Sequence, residues 1–402
     1  MNAVDCIQAF NQGREAERLA IKYRLMRQDA FAFLRGTCHL FYQQWQHELA
    51  QIKSPPAWIC GDLHLENFGC YKGDNRLVYF DLNDFDEAVL APASWELARF
   101  LTSILVAADS LRLAAQDAQG LCALFLDRYA STLVEGKAKW VERNTAEGMI
   151  KDLLDPLKLR SRKAFLDSRT ELHKSKRCIR VDGKRALTME DDKHEELLVF
   201  LQQFAAQQAE PQFFQPLDIA RRIAGTGSLG IARYVVLVQG RGSPDHNYLL
   251  DLKQACPSAL SPYLTHPQPA WRSEAERVMQ VQQRVQAIPV AFLKPTVFDH
   301  KPFLLKGLQP TEDRLRLELW QGKLKRLESV IGTMGDIVAW GHLRSSGRQG
   351  SAITDAWIDF GNDHASWRKP MIGLVNAAWH RTTDDWQAYC QAYDDGTFRS
   401  IT

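Results

Sequence analysis

None of the eight cysteines pairs with another in a CxxC arrangement. The spacing therefore encodes neither a zinc knuckle nor a disulfide framework, and free thiols in a reducing compartment are expected. Long apolar runs are missing too. The longest, Phe100 to Ala108, falls far short of the roughly 20 residues a bilayer span requires. The opening stretch MNAVDCIQAFNQGREAERLA turns charged before a signal-peptide core can develop, so a cytoplasmic protein without a membrane partner is expected. Charge of one sign is also lacking. With 50 Lys and Arg against 48 Asp and Glu the formal net charge is +2, and nothing global advertises nucleic acid or a lipid surface. There is no internal repeat and no low-complexity tract. What remains is an ordinary globular composition, and 402 residues suffice for two lobes with separate cores.

The first fifty residues read as helix, with Leu19, Tyr23, Met26, Ala30, Phe33 and Leu34 at helical spacing. Pro55-Pro56 closes that region, and a short strand, Ala57 to Cys60, leads into Gly61-Asp62-Leu63-His64-Leu65-Glu66-Asn67. Residues Phe68 to Phe80 form a hairpin around Lys72-Gly73-Asp74-Asn75. An acidic cluster follows, containing Asp81, Asp84, Asp86 and Glu87, and Ser94 is placed to cap the next helix. Helical patterns continue to about residue 155. Between Lys158 and Arg185 stand eleven Lys or Arg and three Asp or Glu, with weak periodicity. This reads as a mobile, solvated loop, or as a surface for an anionic substrate or a nucleic acid. Strands dominate from Leu217, a helix is expected at 273 to 287, and the last ninety residues return to helix.

Two constellations carry chemistry. The first is Ile223-Ala224-Gly225-Thr226-Gly227-Ser228-Leu229-Gly230 between two strands, with Lys253 ending the strand after them. Glycines let backbone N–H groups approach phosphates, and a lysine there neutralises them. The second runs from Gly61 to Glu87. Phosphoryl transfer needs a carboxylate to orient the attacking hydroxyl and oxygen ligands to hold magnesium. Asp62, Asn67 five residues on, and a further Asp after the hairpin supply that set.

Gly61-Asp62-Leu63-His64-Leu65-Glu66-Asn67 resembles the catalytic loop of aminoglycoside and choline phosphotransferases. More widely, FAFLRG (31 to 36), GDLHLENFG (61 to 69) and FDLNDFDEA (80 to 88) resemble a bacterial domain-of-unknown-function family, number 2252. The kinase-like resemblance implies a catalytic role for Asp62, a magnesium role for Asn67 and phosphate contact for Lys253. It also implies a circular permutation, because the catalytic loop precedes the glycine loop. Hairpin geometry favours Asp81 as the magnesium aspartate, whereas Asp84 keeps the DFDEA cluster in step, and both are retained. The partner of Lys253 is Glu274 or Glu276. An unpermuted alternative would use Asp359 in Ile358-Asp359-Phe360-Gly361. His342, Arg344 and Ser346 either line the site or end a helix.

The expected fold is α+β, a kinase-like pair of lobes in permuted order. A β-rich small lobe would span 215–312, and residues 1–214 and 313–402 would build the helical large lobe. The expected activity is ATP- and magnesium-dependent phosphoryl transfer to a small-molecule or protein hydroxyl. Gly225, Gly227, Ser228, Gly230 and Lys253 would hold the phosphates. Two other classes compete: a catalytically silent nucleotide-binding protein, and a metal-dependent hydrolase built on Asp62, His64, Asp81 and Asp84.

Overall fold

A computed structural model describes residues 2–310 and 313–398, so one side of the expected lobe boundary, residue 312, lies outside the described residues. The architecture is mixed α+β. Four helices open the chain, α1 (Ala3–Phe10), α2 (Ala16–Gln28), α3 (Ala30–Gly36) and α4 (Cys38–Gln51). Strand β1 (Pro56–Ile59) follows, then the hairpin of β2 (Phe68–Lys72) and β3 (Val78–Leu82), and β4 (Val89–Pro92), which returns antiparallel to β1.

Helix α5 (Ala93–Val106) is buried along its whole length. Its sequence is apolar on every face except for Glu96, Arg99 and small hydroxyl residues, which suits a helix at the centre of a core. Ser94 does not cap it. The helix starts at Ala93, and Ser94 instead ties back to the preceding loop through Ser54 Oγ at 2.9 Å and the Ile52 carbonyl at 3.2 Å. Around α5 lie α6 (Ala108–Leu111), α7 (Ala115–Glu135), β5 (Val141–Glu142) and α8 (Gly148–Leu159).

Residues 158–185 do not form a loose basic loop. They fold into the end of α8, helix α9 (Arg162–Asp167) and the hairpin β6 (Thr170–His173) and β7 (Lys176–Ile179). Their cations act as internal ties. Arg177 is buried and reaches Asp167 and Asp245, both at 2.7 Å, while Arg162 stacks 3.5 Å over Tyr248.

A six-stranded antiparallel sheet comes next. It comprises β8 (Ala186–Leu187), β9 (Pro216–Arg222), β10 (Arg233–Val238), β11 (Tyr248–Gln254), β12 (Lys294–Phe298) and β13 (Lys301–Gly307), with α10 (Asp191–Ala206) after β8 and α11 (Glu274–Val285) before β12. The strand order is β12-β13-β11-β10-β9-β8. Period-two alternation gives the sheet two apolar faces. One takes Leu197 and Leu201 of α10 against Ile219, Val236 and Leu250, and the other takes Leu166 and Ile179 against Val235 and Leu249. The sheet and its covering elements thus begin well before residue 215.

Three helices end the chain: α12 (Leu324–Arg344), α13 (Thr354–Asn362) and α14 (His364–Asp394). Helices α12 and α14 join α5 and α7 in the main core. The two ends of the chain also meet. Tyr23, Met26 and Phe33 bury against Tyr389 and Phe398, and Tyr389 donates to the Tyr23 carbonyl at 2.8 Å. Each fully buried large apolar side chain there contributes about 1.5–3 kcal/mol. No helix among the described residues is long and apolar enough to cross a membrane.

Candidate active site

The chain turns sharply after β1 to present Asp62. Gly61 has φ +83°, and a Cβ there would lie 2.3 Å from the Glu87 carbonyl oxygen, so only glycine fits. The backbone is pinned on both sides, by Cys60 N–H donating to Glu96 Oε2 at 2.9 Å and by Tyr42 donating its hydroxyl proton to the Gly61 carbonyl. Asn67 Nδ2 donates to the Asp62 carbonyl at 2.7 Å, which closes the loop and leaves Asn67 Oδ1 for the cleft. Arg99, from the buried α5, donates to Asp62 Oδ1 from Nε at 3.1 Å and from Nη2 at 2.7 Å. One carboxylate oxygen is thereby fixed, and the other faces the glycine loop. His64 caps the short turn at Leu65–Asn67, its Nδ1 accepting from Glu66 N–H at 3.1 Å. Burial, and then Arg35, Arg99 and Arg314, hold its imidazole well below the ordinary range, so it is neutral.

The glycine segment joins β9 to β10 and lies over this loop. Gly225 and Gly230 have φ of +76° and +87°, which side chains rarely adopt. A Cβ on Gly227 would sit 3.9 Å from Asp62 Oδ2. The loop's carbonyls are engaged by the N-terminal segment. Arg14 donates to Gly227 O at 2.8 Å and Leu229 O at 3.2 Å, and Glu15 N–H donates to Gly230 O at 2.9 Å. Lys22 bridges Gly227 O at 3.3 Å and Asn11 Oδ1 at 2.9 Å. Its ammonium is pushed well below the usual lysine value, chiefly by burial. The N–H groups of residues 225–230, by contrast, donate no hydrogen bond among the described residues. Acceptors tied back and donors left open is the polarity of an anion-binding concavity.

Asp62, Asn67, Asp84, Lys253 and the glycine loop line one cleft of about 390 Å³, within the range of roughly 300–1,000 Å³ typical of small-molecule sites. Gly225, Gly227, Ser228 and Gly230 all reach it. Asp81 does not. Its carboxylate accepts from Leu82 N–H at 2.8 Å and Ala287 N–H at 3.1 Å, with Arg344 at 3.5 Å, on the side away from the cleft. The hairpin ends at Leu82, and the following turn, Asn83 to Glu87, carries Asp84 and Asp86 back over the site. The preference for Asp81 is therefore corrected in favour of Asp84.

Lys253 departs from expectation in its partner. Its Nζ is bonded to Asp86, and Asp84 Oδ1 stands at 4.0 Å. Neither glutamate of α11 reaches it. Glu274 accepts from Arg277 Nε at 2.6 Å, and Glu276 from Arg272 N–H at 2.7 Å, as part of the helix's own N-terminal capping. Between them and the acidic turn lies the buried Arg277, which spans Asp86 O and Cys256 O, each at 2.9 Å.

The remaining alternatives fall away from the cleft. Asp359 lies within α13, where it cannot form a metal-binding loop. His342 joins Glu96 at 2.6 Å and Tyr129 at 2.8 Å in a buried network behind Cys60. Arg344 ends α12 and donates to the Val285 and Lys139 carbonyls, and Ser346, just past it, pairs with Thr354 of α13.

Several charged groups escaped sequence reasoning because they come from every part of the chain. Arg14, Arg35, Arg222, Arg233, Lys306 and Arg314 all line the cleft. Arg35 and Arg314 share Glu66, at 2.6 and 3.4 Å. Arg222 and Arg233 share the buried Asp251, at 2.7 and 2.6 Å. Burial alone would raise the Asp251 carboxyl, but the two guanidiniums hold it far below the carboxylate range. Burial likewise opposes ionisation of Asp84, yet Lys253, Lys306 and Arg233 keep its carboxyl below the ordinary value. Glu87 is the reverse case. Burial, with Asp62 and Asp86 nearby and only Ala259 N–H donating at 2.5 Å, pushes it up to about 7.

Magnesium fits this donor set. Asp84 is ionised and faces the cleft, Asn67 Oδ1 is open, and Asn83 Oδ1 is buried without a partner among the described residues. No group of three His, Cys, Asp or Glu among the described residues forms a closed metal cage. Magnesium on phosphates needs none, since one or two carboxylates and the phosphate oxygens complete its octahedron.

Residues 14–392 match the family described as "Uncharacterized protein conserved in bacteria (DUF2252)". No curated protein and no solved structure matches the chain.

Proposed function

The chain belongs to that bacterial family, and on this premise we propose that it is a magnesium-dependent phosphotransferase. It takes a nucleoside triphosphate as donor and a hydroxyl as acceptor, in a kinase-like pair of lobes with permuted order. One observation carries the reading. The glycine loop leaves its backbone N–H groups without internal acceptors beside a cleft whose facing wall presents Asp62, one oxygen fixed by Arg99 and the other facing the loop. Donors for a phosphate chain on one wall and an oriented carboxylate on the other are what in-line transfer to a hydroxyl requires.

The roles follow from position. The N–H groups of 225–230 cradle phosphate oxygens, and Lys253 exchanges its contact with Asp86 for the incoming phosphates. Asp62 orients the acceptor hydroxyl and takes its proton. Arg99 acts through Asp62 by holding its rotamer. Magnesium, held by Asp84 and Asn67, would neutralise charge developing on the phosphates. Sheet β8–β13 with α10 and α11 supports the small-lobe assignment, and the contact between α2 and α14 supports permutation, because the two chain ends build one helical unit. The hydrolase alternative loses support, since Asp81 faces away and His64 is spent on the Leu65–Asn67 turn.

Thermal unfolding with ATP, with and without magnesium, tests the reading. At about 100 times its dissociation constant the ligand adds roughly 2.7 kcal/mol. The expected result is a magnesium-dependent rise in melting temperature, lost in Lys253→Ala. No rise in the wild-type protein would remove the nucleotide from the account.

A further inference from the structure

We propose that the cleft selects its nucleotide by the phosphate chain and not by the base. Adenine, guanine and cytosine nucleotides then bind alike, and inorganic tripolyphosphate binds in the same place. This deepens the reading above and rests on it.

The strands that line the cleft change character along their length. One face of the sheet carries Ala220, Val235, Leu237 and Leu249, which pack with Leu166 and Ile179. Side chains two apart on a strand share a face, so that face continues at Arg222, Arg233 and Asp251. Arg233 stands opposite Lys253, and Asp251 opposite Lys306, which places both lysines on the same side. Where the sheet reaches the cleft its apolar face has thus become a charged one. Arg222, Arg233, Lys253 and Lys306 all line the cleft.

This wall offers charge without a fork that could read a base. Arg233 donates to Asp251 from Nε at 2.9 Å and from Nη2 at 2.6 Å, and to the Ala224 carbonyl at 3.1 Å. Arg222 reaches Asp251 at 2.7 Å and donates to the Gln309 carbonyl at 2.8 Å. Bidentate reading of a base edge needs such a fork free, and both are spent. Lys306 makes no hydrogen bond or ion pair among the described residues. Its ammonium is a point charge, suited to any phosphate oxygen and indifferent to the base.

The aromatic rings of the cleft are also engaged. Phe10 stacks on His39 at 3.8 Å, with Arg14 and Lys22 over its ring. His64 is buried, edge-on to Phe31 at 5.9 Å. An uncharged base laid on the charged wall would strip water from cations and return no charge. Phosphate oxygens return charge-assisted hydrogen bonds. The amides of the glycine loop act in the same sense, because backbone donors hold phosphate whatever base it carries.

Titration calorimetry on the full chain with magnesium tests this, using ATP, GTP, CTP and tripolyphosphate. The four dissociation constants should lie within about fivefold of one another. A wider spread, whether from one favoured base or from weak tripolyphosphate, would overturn the proposal. Lys306→Met locates the site. It removes no contact of the fold, so its unfolding midpoint should match the wild type. All four ligands should weaken by a common factor of about tenfold. Undiminished tripolyphosphate binding, or a loss confined to the nucleotides, would overturn the proposal. A wild-type protein that binds none of the four would instead sink the nucleotide reading, and this proposal with it.

Discussion

Arg99 donates twice to one oxygen of Asp62, at 3.1 and 2.7 Å, from a guanidinium with no exposure to solvent. The same Nη2 also donates to the Leu34 carbonyl at 2.6 Å, so the fork is fixed from two elements before any ligand arrives. Removing the cation leaves a mostly buried carboxylate without its partner. Arg99→Met should therefore cost about 3–5 kcal/mol in urea unfolding, and Asp62→Asn combined with it should recover part of that loss. Additive losses would show that the pair is not coupled.

Glu87 predicts a pH dependence of stability. Its folded value of about 7 lies above its ordinary 4.5, so the folded state binds the proton more tightly. The stability this contributes is present in full below 4.5 and is lost as pH rises through about 7. Urea midpoints at about pH 5 and about pH 8 should show a fall in the wild type that is smaller in Glu87→Gln. Equal falls in the two proteins would assign the dependence elsewhere.

Glycine substitutions separate shape from conformation in the loop. In Gly227→Ala the added carbon would stand 3.1 Å from the Arg35 carbonyl and face Asp62, on ordinary backbone angles. Nucleotide affinity should fall about tenfold while the unfolding midpoint barely moves. At Gly230 the backbone has φ +87° and the carbon would meet Arg14 Cβ at 2.8 Å. Gly230→Ala should destabilise the fold by about 1–3 kcal/mol, measured by the same urea titration.

Hydrogen exchange reads the loop directly. The amides of 225–230 have no acceptor among the described residues, so they should exchange quickly in the free protein. Adding magnesium and ATP should slow them. In Arg14→Ala, which frees the carbonyl of Leu229 and leaves that of Gly227 to Lys22 alone, that protection should weaken. Fast exchange unchanged by the nucleotide would mean that these amides do not hold its phosphates.

Legibility in the sequence followed proximity along the chain. Asp62, Asn67, Asp84 and the glycine loop stand out in the sequence because each belongs to a short patterned segment, and the structure brings them to one cleft. Lys253 was readable by position, since it ends the strand after the loop. Its partner was not, because Arg277 stands where a helix glutamate was expected and the Asn83–Glu87 turn brings Asp86 across from a distant segment. Asp81 departs from expectation for a related reason, as a strand end says nothing about which way the next turn folds. The cations of the cleft were invisible. Arg14, Arg35, Arg222, Lys306 and Arg314 are separated by up to three hundred positions, and only the tertiary fold gathers them. The basic stretch 158–185 departs from a loose loop because Arg177 serves two carboxylates and Arg162 a tyrosine ring, while its lysines stay at the surface.

In the proposed reaction Asp62 performs the chemistry in a cleft that other residues equip for binding. The most direct measurement is magnesium-dependent ATP consumption by the purified full chain and by Asp62→Ala, with nucleotide binding followed in parallel. Loss of a general base predicts a fall of about 10²–10⁴-fold in turnover with binding retained. Undiminished consumption in Asp62→Ala would contradict the account.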